Sequence, residues 1–586
     1  MINYNPLLMI DFYKAVHSEQ YPTGMSMIYS PGTPRMSRLH DVDEVVFFGA
    51  QAFCKSILIE AFNTYFFDRP LNEVVDEYNR ILTRTLGKGT YNAQKIEDLH
   101  NLGYLPIAVF TVPEGVSTKI GVPQSVFINT HPNFAWLTNT LETVYSAFIW
   151  HIQISAEVGK RYRKIVDKYV AETCSSNVVP ARMLGDFSMR GQHCPESAMT
   201  SSAAWLLSFL NTATVPAIMW LEDYYNCNID EEDVGFGAIS TEHSVMCSNY
   251  AIDGDEITHI KRLLTEVYPN NNFSMVSDSY DYWNLVTNLL PQCHKEIMEH
   301  NGTLLVRGDS GDPVEIIAGK PILDVSEWSI EELFVDEEYT RESFIEYLFD
   351  EGVDSDGVLY CRCKDKYFKV EFSAIVGKKR GGWTDCNYYF VDTFEIDWEE
   401  IEPNAELLGT VWALDQEFGH TVNEKGYKVL DPHVKAIYGD SITPQRCEEI
   451  YKRLAQLGYA ANNVVLGVGS FSFMCLEEYK GENVNYKPYT RDTFGYAIKA
   501  TYGEDEACEP VMIQKQPKAI AWKKSPKGCI VVAQDGQRYT DGYTFEEAHI
   551  EHNEDNLLQL IFKDSVMLQE TSLWEIRQRM YPNGGF

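Results

Sequence analysis

The sequence predicts an α/β protein with parallel strands, and a strand–helix–strand unit is the first of three observations behind that prediction. Residues 434–438 and 463–466 are short apolar runs that each lead into a polar loop with glycine. Between them, residues 443–457 combine a Thr-Pro helix start with apolar side chains at i, i+4 and i+7 spacing. Parallel units of this kind place ligands at the C-terminal ends of their strands.

The second observation is a pattern shared by four loops, in which an apolar strand runs into a short polar cluster. The four are MLGDFSMRG (183–191), SMVSDSYDYW (274–283), TLLVRGDSGDP (303–313) and KAIYGDS (435–441). Asp carboxylates suit ribose hydroxyls and Mg²⁺, whereas Arg side chains and glycine N–H groups suit phosphate oxygens. One such loop alone is more typical of an Asx-turn or a helix cap. Four in series predict a sugar-phosphate site.

The third observation is a change of composition at residues 321–410, which predicts a small inserted module. This stretch holds 23 acidic and 8 basic residues, a net charge of −15. Its middle, VLYCRCKDKYFKVEFSAIV, alternates like paired strands, and KKRGGW is typical of a turn. Cys361, Cys363 and Cys386 could bind a metal, but no second CxxC or His pair completes four ligands, so packing is favoured.

Charge and composition exclude several classes of partner. The 586 residues carry a net charge of −36 and are 45% hydrophobic, which suits large cores in about two to four domains. So acidic a chain lacks the basic track that a nucleic acid or an anionic membrane requires, and neither is expected as a partner. The longest uncharged stretch, residues 197–221, is rich in Ser and Thr and contains Pro216, so a buried helix plus strand is expected rather than a membrane span.

Cysteine usage and the first residues predict a cytoplasmic protein. The 13 cysteines are odd in number and scattered, which is typical of reduced thiols rather than of a disulfide framework. The opening MINYNPLLMIDFYK has no basic region followed by an apolar segment and a cleavage site, so no signal peptide is expected.

The GDSGDP segment admits a different chemistry, because it is similar to the nucleophile segment GDSGGP of trypsin-like serine proteases. Ser310 would then be an acyl-transfer nucleophile that needs a His base and a buried Asp. The chain lacks the Ala-Ala-His-Cys segment of those enzymes, which weakens this alternative. The Arg-Gly-Asp within the same segment directly follows an apolar run, so it is not expected to be displayed as an adhesion motif.

A series of motifs in one order resembles the nicotinamide phosphoribosyltransferases of the type II phosphoribosyltransferase fold, over nearly the whole chain apart from the acidic insert. The motifs are DFYKAVHSEQYP (11–22), VPEGV, AWLTNTLET, DFSMRG, STEHS, VSDSYDYWN, RGDSGDP, YGDS, YTRD and LIFKDSVMLQETSLWEIR. The resemblance implies an irregular α/β barrel (181–320 and 411–480), a mixed α/β domain from the N- and C-terminal portions (1–180 and 481–586), and an acidic β-rich insert (321–410). It also implies a homodimer with active sites at the subunit interface.

The resemblance further implies a set of substrates and the residues that bind them. The substrates are phosphoribosyl pyrophosphate, nicotinamide and ATP, with Mg²⁺ as cofactor. The base would lie between Phe187 and Tyr13 of the partner subunit, with Arg190 on the carboxamide oxygen and Asp11 and Ala213 nearby. The ribose and its Mg²⁺ would face Asp278 and Asp309, with Asp309 reaching the metal mostly through substrate and water.

Further residues are implied for the two phosphate groups and for ATP. The ribose 5-phosphate would be surrounded by Arg307, Gly439, Asp440, Gly469 and Ser470. The pyrophosphate site would comprise the cations Arg35, Arg491, Lys499 and Lys527 together with Glu242. His243 matches the histidine that the family phosphorylates with ATP, and Glu242 lies beside it.

The chemistry of the transfer explains such a set of residues. Breaking the bond from ribose C1 to pyrophosphate develops positive charge on the sugar and negative charge on the leaving group, which cations must meet. An aromatic sandwich would position the ring nitrogen of the base for attack on C1. A histidine can accept a phosphoryl group and so couple ATP hydrolysis to the transfer.

Three departures from the family's motifs bear on substrate choice. Ala213 stands where the nicotinamide enzymes carry an aspartate that accepts a hydrogen bond from the amide nitrogen of the substrate. A buried carboxylate there would repel nicotinate, so its absence leaves the choice between the two bases open. Ser470 and Phe471 replace glycines of the phosphate loop, and Lys435 replaces an arginine.

The function expected from these observations is synthesis of nicotinamide mononucleotide in NAD salvage, coupled to ATP. A nicotinate phosphoribosyltransferase of the same fold is the near alternative, and a catalytically weak homologue retained for binding is a more distant one. The insert is expected either to cap the mouth of the active site or to lie at an edge of the domain.

Overall fold

The protein is described from a computed structural model, which covers residues 4–326, 357–380, 387–480, 483–518 and 524–586. Its centre is a sheet of six parallel strands, here called the barrel sheet. In spatial order the strands are Asn211–Thr212, Leu184–Asp186, Val464–Val468, Val434–Tyr438, Leu304–Gly308 and Phe273–Val276.

Single parallel bridges close this sheet into an irregular barrel. Asn211 in one edge strand pairs with Phe236, and Ser274 in the other edge strand pairs with Ser240. Residues 236–240 therefore fill the gap between the two edges with irregular backbone rather than with a regular strand. The predicted α/β fold with an irregular barrel is confirmed.

Alternation along the barrel strands determines what faces the helices and what faces the interior. Val434, Ala436 and Tyr438 pack into the main hydrophobic core outside the sheet, so Lys435 and Ile437 lie on the inner face.

The helix Pro444–Gln456 begins as predicted, since the hydroxyl of its N-cap Thr443 accepts a hydrogen bond from a backbone N–H and Pro444 occupies the first turn.

A second sheet combines strands from both ends of the chain in antiparallel pairs. Its spatial order is Pro510–Met512, Tyr502–Asp505, Met25–Thr33, Ser125–Asn129, Ile107–Thr111, Gln559–Lys563 and Val566–Met567, with Ala497–Ile498 also paired to Met25–Thr33. The N-terminal and C-terminal portions are therefore joined by backbone hydrogen bonds.

The helix Trp136–Thr173, here called the long helix, connects the two sheets. Its 38 residues contribute Leu141 and Tyr145 to the core beneath the antiparallel sheet, and Tyr162 and Val166 to the core of the barrel. Within the described ranges, the other helices of six or more residues are the π-helix Cys54–Ala61 and the α-helices Leu71–Thr85, Gln94–Leu102, Pro195–Trp205, Val215–Tyr224, His243–Asp253, Glu256–Arg262, His294–Glu299, Pro313–Ala318, Ala405–Phe418, Pro444–Gln456 and Leu573–Met580.

The predictions of a buried helix plus strand at residues 197–221 and of reduced cysteines can be compared with this architecture. Residues 197–221 form a helix, a short barrel strand and the start of a second helix. Within the described ranges, no helix combines the length and apolar character needed to cross a membrane. The cysteines in those ranges are all free thiols.

The acidic insert contains the predicted hairpin. Gly357–Cys363 pairs antiparallel with Lys366–Arg380, which pairs in turn with Asn387–Ile401, and Ile322–Asp324 adds a parallel edge strand. Cys361 and Cys363 are buried, whereas Cys386 and the last part of the predicted KKRGGW turn lie outside the described residues. No metal-holding cluster of His, Cys, Asp or Glu occurs among the residues that the structure describes.

The two ends of the insert meet at a close backbone contact. The backbone N–H of Lys320 donates to the carbonyl oxygen of Leu407 at 2.9 Å, and Gly319 lies against Gly409. Residue 410, the predicted end of the insert, falls inside the helix Ala405–Phe418, which packs into the barrel core. The insert thus begins after the helix Pro313–Ala318, which follows the RGDSGDP loop, and it ends in the helix Ala405–Phe418.

Gly409 is expected to be intolerant of a side chain. Its φ is +83°, and a Cβ there would lie 2.5 Å from Gly319 N and Ile317 O. We expect Gly409→Ala to lower the free energy of unfolding by about 3 kcal/mol or more, since backbone atoms must move. Gly419→Ala, at φ +78° with nothing within 4 Å, should cost only about 1–2 kcal/mol. Urea unfolding of both variants measures this, and equal losses would contradict the close-contact argument.

Candidate active site

Apart from Lys527, the residues predicted to bind substrate lie in two groups. The first group, here called the barrel mouth, follows the C-terminal ends of the barrel strands and contains Phe187, Arg190, Ala213, Glu242, His243, Asp278, Arg307, Asp309, Gly439, Asp440, Gly469 and Ser470. The second group, here called the basic cluster, lies beside the antiparallel sheet and contains Asp11, Tyr13, Arg35, Arg491 and Lys499.

Phe187 lies in the barrel mouth, and its ring packs directly against the backbone of the glycines Gly467 and Gly185. A Cβ added to Gly467 would collide with the Phe187 ring, and one added to Gly185 would lie 3.1 Å from it. The backbone N–H of Phe187 donates to Val468 O at 2.9 Å, which fixes the start of the loop. The ring therefore forms a half-buried flat wall of the mouth, and Arg190 is exposed in the same loop.

A buried carboxylate holds the loop that carries Phe187. Asp186 Oδ1 accepts a hydrogen bond from Ser188 N at 2.9 Å. Its Oδ2 accepts from the hydroxyls of Thr212 at 3.0 Å, Thr214 at 3.3 Å, and Ser202. A buried carboxylate with four donors is well satisfied, so Asp186 is a rigid support for the loop.

Asp278 is the centre of a hydrogen-bond network that joins three loops. Its side chain is only 5% exposed, and its Oδ1 lies 3.2 Å from Nε2 of His243, which is 49% exposed. The backbone N–H of Asp309 donates to Asp278 Oδ2 at 3.2 Å, and the hydroxyl of Ser310 donates to the same oxygen. Asp278 thus couples the histidine loop to the RGDSGDP loop.

Arg307 and two glycines form the part of the mouth that suits phosphate. Arg307 Nη2 lies 3.0 Å and 3.1 Å from the two carboxylate oxygens of Asp309. A Cβ on Gly439 would lie 2.5 Å from Arg307 Nε, and one on Gly469 would lie 3.0 Å from Asp440 Oδ1. Without side chains, these glycines let the guanidinium and the carboxylate approach the backbone closely.

Several carboxylates converge at the mouth. Burial raises the pKa of Tyr438, and the negative charges of Asp309, Asp278, Asp312 and Asp440 raise it further. Within the described ranges, these carboxylates do not form a group of three or more ligands able to hold a metal without other donors. A divalent cation here would need oxygens from substrate or water.

The basic cluster contains the predicted aromatic residue of the second subunit. Partial burial raises the pKa of Tyr13, Asp11 and Glu142 raise it further, and Arg491 lowers it, so these groups are neighbours. Tyr13 nevertheless remains 57% exposed. The hydroxyl of Thr143 donates to Asp11 Oδ2 at 2.9 Å. Asp11 thus anchors the Tyr13 segment on the long helix.

A cavity of about 250 Å³ adjoins this cluster and is lined by Arg35, Lys499 and Lys524. Burial and the nearby Arg491 lower the pKa of Arg35. Lys527 is exposed and is absent from the cavity lining, and its backbone N–H donates to Asp541 Oδ2 at 2.8 Å. Lys524 thus lies beside the other cations of this cavity, and the role of Lys527 in pyrophosphate binding stays a prediction.

The serine-protease alternative does not fit this geometry. A serine nucleophile must donate its proton to a histidine. Ser310 instead donates its hydroxyl hydrogen bond to Asp278. The neighbouring His243 also contacts Asp278 through its Nε2, not Ser310. The Arg-Gly-Asp segment is not displayed either, because Arg307 and Asp309 pair with each other across a buried Gly308.

Comparison with known proteins gives the family. The model of the nicotinate phosphoribosyltransferase (NAPRTase) family matches residues 183–362 and 399–534. The chain belongs to this family. The model of the nicotinamide phosphoribosyltransferase N-terminal domain matches residues 5–107. The stretch between the two matched NAPRTase segments, residues 363–398, lies inside the acidic insert.

Individual relatives agree with the family match, and the fold can also be compared with one solved structure. A nicotinamide phosphoribosyltransferase of Acinetobacter baylyi is 33% identical over 98% of this chain and 97% of its own length. One of Mycoplasma genitalium is 26% identical over 91% of this chain and 95% of its own. A nicotinate-nucleotide pyrophosphorylase structure from Pyrococcus furiosus covers 99% of this chain and 95% of its own, at 10% identity and a TM-score of 0.46. The motif resemblance is confirmed, and the chain is a phosphoribosyltransferase-family enzyme.

The departures from the nicotinamide members of the family lie at the mouth and in the barrel. Ala213 is exposed beside the Phe187 strand, and its N–H donates to Asp186 O at 2.8 Å. Ser470 presses against Gly191, where a Cβ would collide with the Ser470 hydroxyl. Lys435 lies on the inner face of the barrel, where burial lowers its pKa.

Three residues that the structure brings into contact with the predicted site residues were not singled out from the sequence. They are Asp186, Glu142 and Lys524. The first two occur within the quoted motifs DFSMRG and AWLTNTLET, and Lys524 lies in the basic run KKSPK at 523–527. Their motifs could have suggested them, but only contacts between distant segments reveal what they bind.

Gly467→Ala is expected to impair binding of the base by displacing the Phe187 ring. A methyl group there occupies the position of the ring, so we expect KM for the base to rise at least about tenfold, with a smaller change for phosphoribosyl pyrophosphate. Steady-state kinetics measures both constants. Gly237→Ala, which meets nothing within 4 Å, is the control. An unchanged KM for the base would mean that Phe187 does not contact it.

Proposed function

We propose that this enzyme transfers the phosphoribosyl group of phosphoribosyl pyrophosphate to nicotinamide, giving nicotinamide mononucleotide and pyrophosphate in NAD salvage. The observation that carries the proposal is similarity over 98% of the chain to a relative named nicotinamide phosphoribosyltransferase. The matching N-terminal domain supports it. The cytoplasm, where the free thiols of this chain would stay reduced, is the proposed compartment.

The barrel mouth provides the contacts that this reaction needs. Phe187 offers a flat apolar surface to one face of the pyridine ring, and exposed Arg190 can donate to the carboxamide oxygen. Asp278 and Asp309 face the region where C1 of the ribose would become positive. Arg307 and the glycines beside it are suited to the 5-phosphate oxygens.

Magnesium is proposed as the divalent cation, and the residues present fit it. The carboxylates of Asp278, Asp309 and Asp440 converge at the mouth, but Asp309 is already paired with Arg307. The protein would therefore supply few direct ligands, and Asp309 would reach the ion mostly through substrate and water. When bound, Mg²⁺ would neutralise charge on the departing pyrophosphate.

His243 is proposed to accept a phosphoryl group from ATP. When Asp278 accepts a hydrogen bond from its Nε2, the lone pair lies on Nδ1, which can attack the γ-phosphorus and release ADP. Water then cleaves the N–P bond and returns phosphate and the free imidazole. Glu242 precedes His243 at the start of its helix and accepts a hydrogen bond from Ser244.

A homodimer with shared active sites is proposed because the two faces of the base need two rings. Phe187 supplies one ring in the barrel mouth, whereas Tyr13 is more than half exposed on the basic cluster. A second copy of the chain would bring Tyr13 of the partner subunit to the free face of the base.

Assays with each base separately test the proposed function. Purified protein with phosphoribosyl pyrophosphate, Mg²⁺ and either nicotinamide or nicotinate is analysed by liquid chromatography, with and without ATP and with EDTA. We expect nicotinamide mononucleotide, more of it with ATP, and none with EDTA. Product from nicotinate alone would assign the alternative base, and binding without product would assign the weak homologue.

Ala213→Asp is expected to sharpen the choice of base. A carboxylate beside the Phe187 strand would repel the carboxylate of nicotinate and accept a hydrogen bond from nicotinamide, so the ratio of kcat/KM values should shift at least about tenfold toward nicotinamide. Competition assays with both bases measure the ratio. Ala213→Asn, which has the same shape without the charge, is the control. Equal ratios in the two variants would place residue 213 away from the substrate carboxyl group.

Mixing two inactive variants is expected to restore activity if sites are shared. Phe187→Ala and Tyr13→Ala should each lose most activity, but a heterodimer of the two retains one intact site. Coexpression in equal amounts should then give about a quarter of the wild-type activity. Purification with two different tags isolates the heterodimer for assay. If the heterodimer is as inactive as its parents, both rings belong to one subunit.

A further inference from the structure

One face of the long helix holds the N-terminal segment that carries Tyr13. Positions 139, 142 and 143 lie on the same side of a helix because they are three and four residues apart. Their contacts with residues 11–17 are Asn139 Oδ1 with His17 Nδ1 at 2.6 Å, Glu142 Oε2 with Lys14 Nζ at 2.5 Å, and Thr143 Oγ1 with Asp11 Oδ2 at 2.9 Å. Three side chains of one helix thus fix one short segment.

Glu142 differs from the other two because it binds a second partner far away in sequence. Its Oε1 lies 2.5 Å from Lys499 Nζ, while its Oε2 contacts Lys14. Lys14 is buried, with its side chain 4% exposed, whereas Lys499 is 42% exposed and lines the cavity beside Arg35. One carboxylate therefore joins a buried ammonium group to one that faces solvent.

The Lys14 end of this bridge reaches the base-binding segment. Lys14 and Tyr13 are neighbours in the short helix Phe12–Val16, and the Lys14 ammonium lies 5.6 Å from the centre of the Tyr13 ring. Lys95 supports the same segment through Ala15 O at 2.7 Å and Ser18 Oγ at 2.5 Å. The position of the exposed Tyr13 ring thus depends on how Lys14 is held.

A carboxylate at position 142 has a role that a neutral side chain could not fill. A buried ammonium group without a partner is costly, so Lys14 needs a full negative charge beside it. The same charge draws Lys499 into one orientation, yet two ammonium groups and one carboxylate leave the bridge net positive. It therefore still attracts an anion.

We propose that Glu142 is a positioning residue that sets Lys499 for the pyrophosphate group and, through Lys14, sets Tyr13 for the base. This inference rests on the proposed function, in which Lys499 and Tyr13 contact those two parts of the substrates. Glu142 itself touches neither substrate. Its effect on both KM values passes through the two lysines.

Glu142→Gln tests the inference by removing the charge while keeping the shape. We expect the KM values for phosphoribosyl pyrophosphate and for the base each to rise about tenfold, and the Kd for inorganic pyrophosphate by isothermal titration calorimetry to rise similarly. A purely structural role would lower the folded fraction and hence kcat, with both KM values unchanged.

Glu142→Asp, which keeps the charge, should recover part of the loss. Glu172→Gln, an exposed position on the same helix, is the matched control and should match wild type.

Two double variants separate positioning from misfolding. Lys499→Met combined with Glu142→Gln should raise the KM for phosphoribosyl pyrophosphate no further than Lys499→Met alone, because both act through one ammonium group. Lys14→Met combined with Glu142→Gln removes the stranded buried charge and should fold even if the single variant does not. It should still show weakened pyrophosphate binding. Additive effects, or KM values equal to wild type, would overturn the inference.

The outcomes for this inference and for the proposed function are distinct. Wild-type protein that binds pyrophosphate but forms no nucleotide would refute the proposed function, while the calorimetric comparison still tests Glu142. Active wild type with an unaffected Glu142→Gln variant would refute the role of Glu142 alone.

Discussion

Packing of the long helix against both sheets holds the two halves of the molecule together. The helix contributes side chains to both hydrophobic cores and so joins the barrel to the antiparallel sheet. The same helix holds the Tyr13 segment through Asn139, Glu142 and Thr143. The loops of the barrel mouth and the Tyr13 segment are therefore positioned relative to one another by a single rigid helix. A helix of 38 residues buried over much of its length is well suited to that purpose.

The barrel mouth combines rigid support with open space. Asp186 is fully satisfied by hydroxyl and amide donors, and Asp278 ties three loops together. Near these fixed carboxylates, Gly467 and Gly439 have no side chains, which leaves space for the Phe187 ring and the Arg307 side chain. The arrangement pre-organises an aromatic surface and a cationic group, so less ordering is needed when substrate binds.

The net charge of −36 is compatible with anionic substrates because the cations are concentrated. Arg35, Lys499 and Lys524 line one cavity, and Arg491 is close enough to lower the pKa of Arg35. Much of the negative charge lies in the insert, which leaves and rejoins the barrel at Gly319 and Gly409. Because the insert begins and ends at one point, the order of the barrel strands is unaffected by it.

The family, the parallel α/β unit, the hairpin of the insert and the loops that carry the polar residues could all be predicted from the order of the amino acids. These features depend on local patterns: strand alternation, the Thr443 cap, and glycine next to aspartate. Three other features became visible only in the folded molecule: residues 236–240 close the barrel, Lys524 rather than Lys527 lines the cavity, and Glu142 joins Lys14 to Lys499. Such contacts join segments up to hundreds of residues apart, and a local pattern carries no information about which distant groups packing brings together.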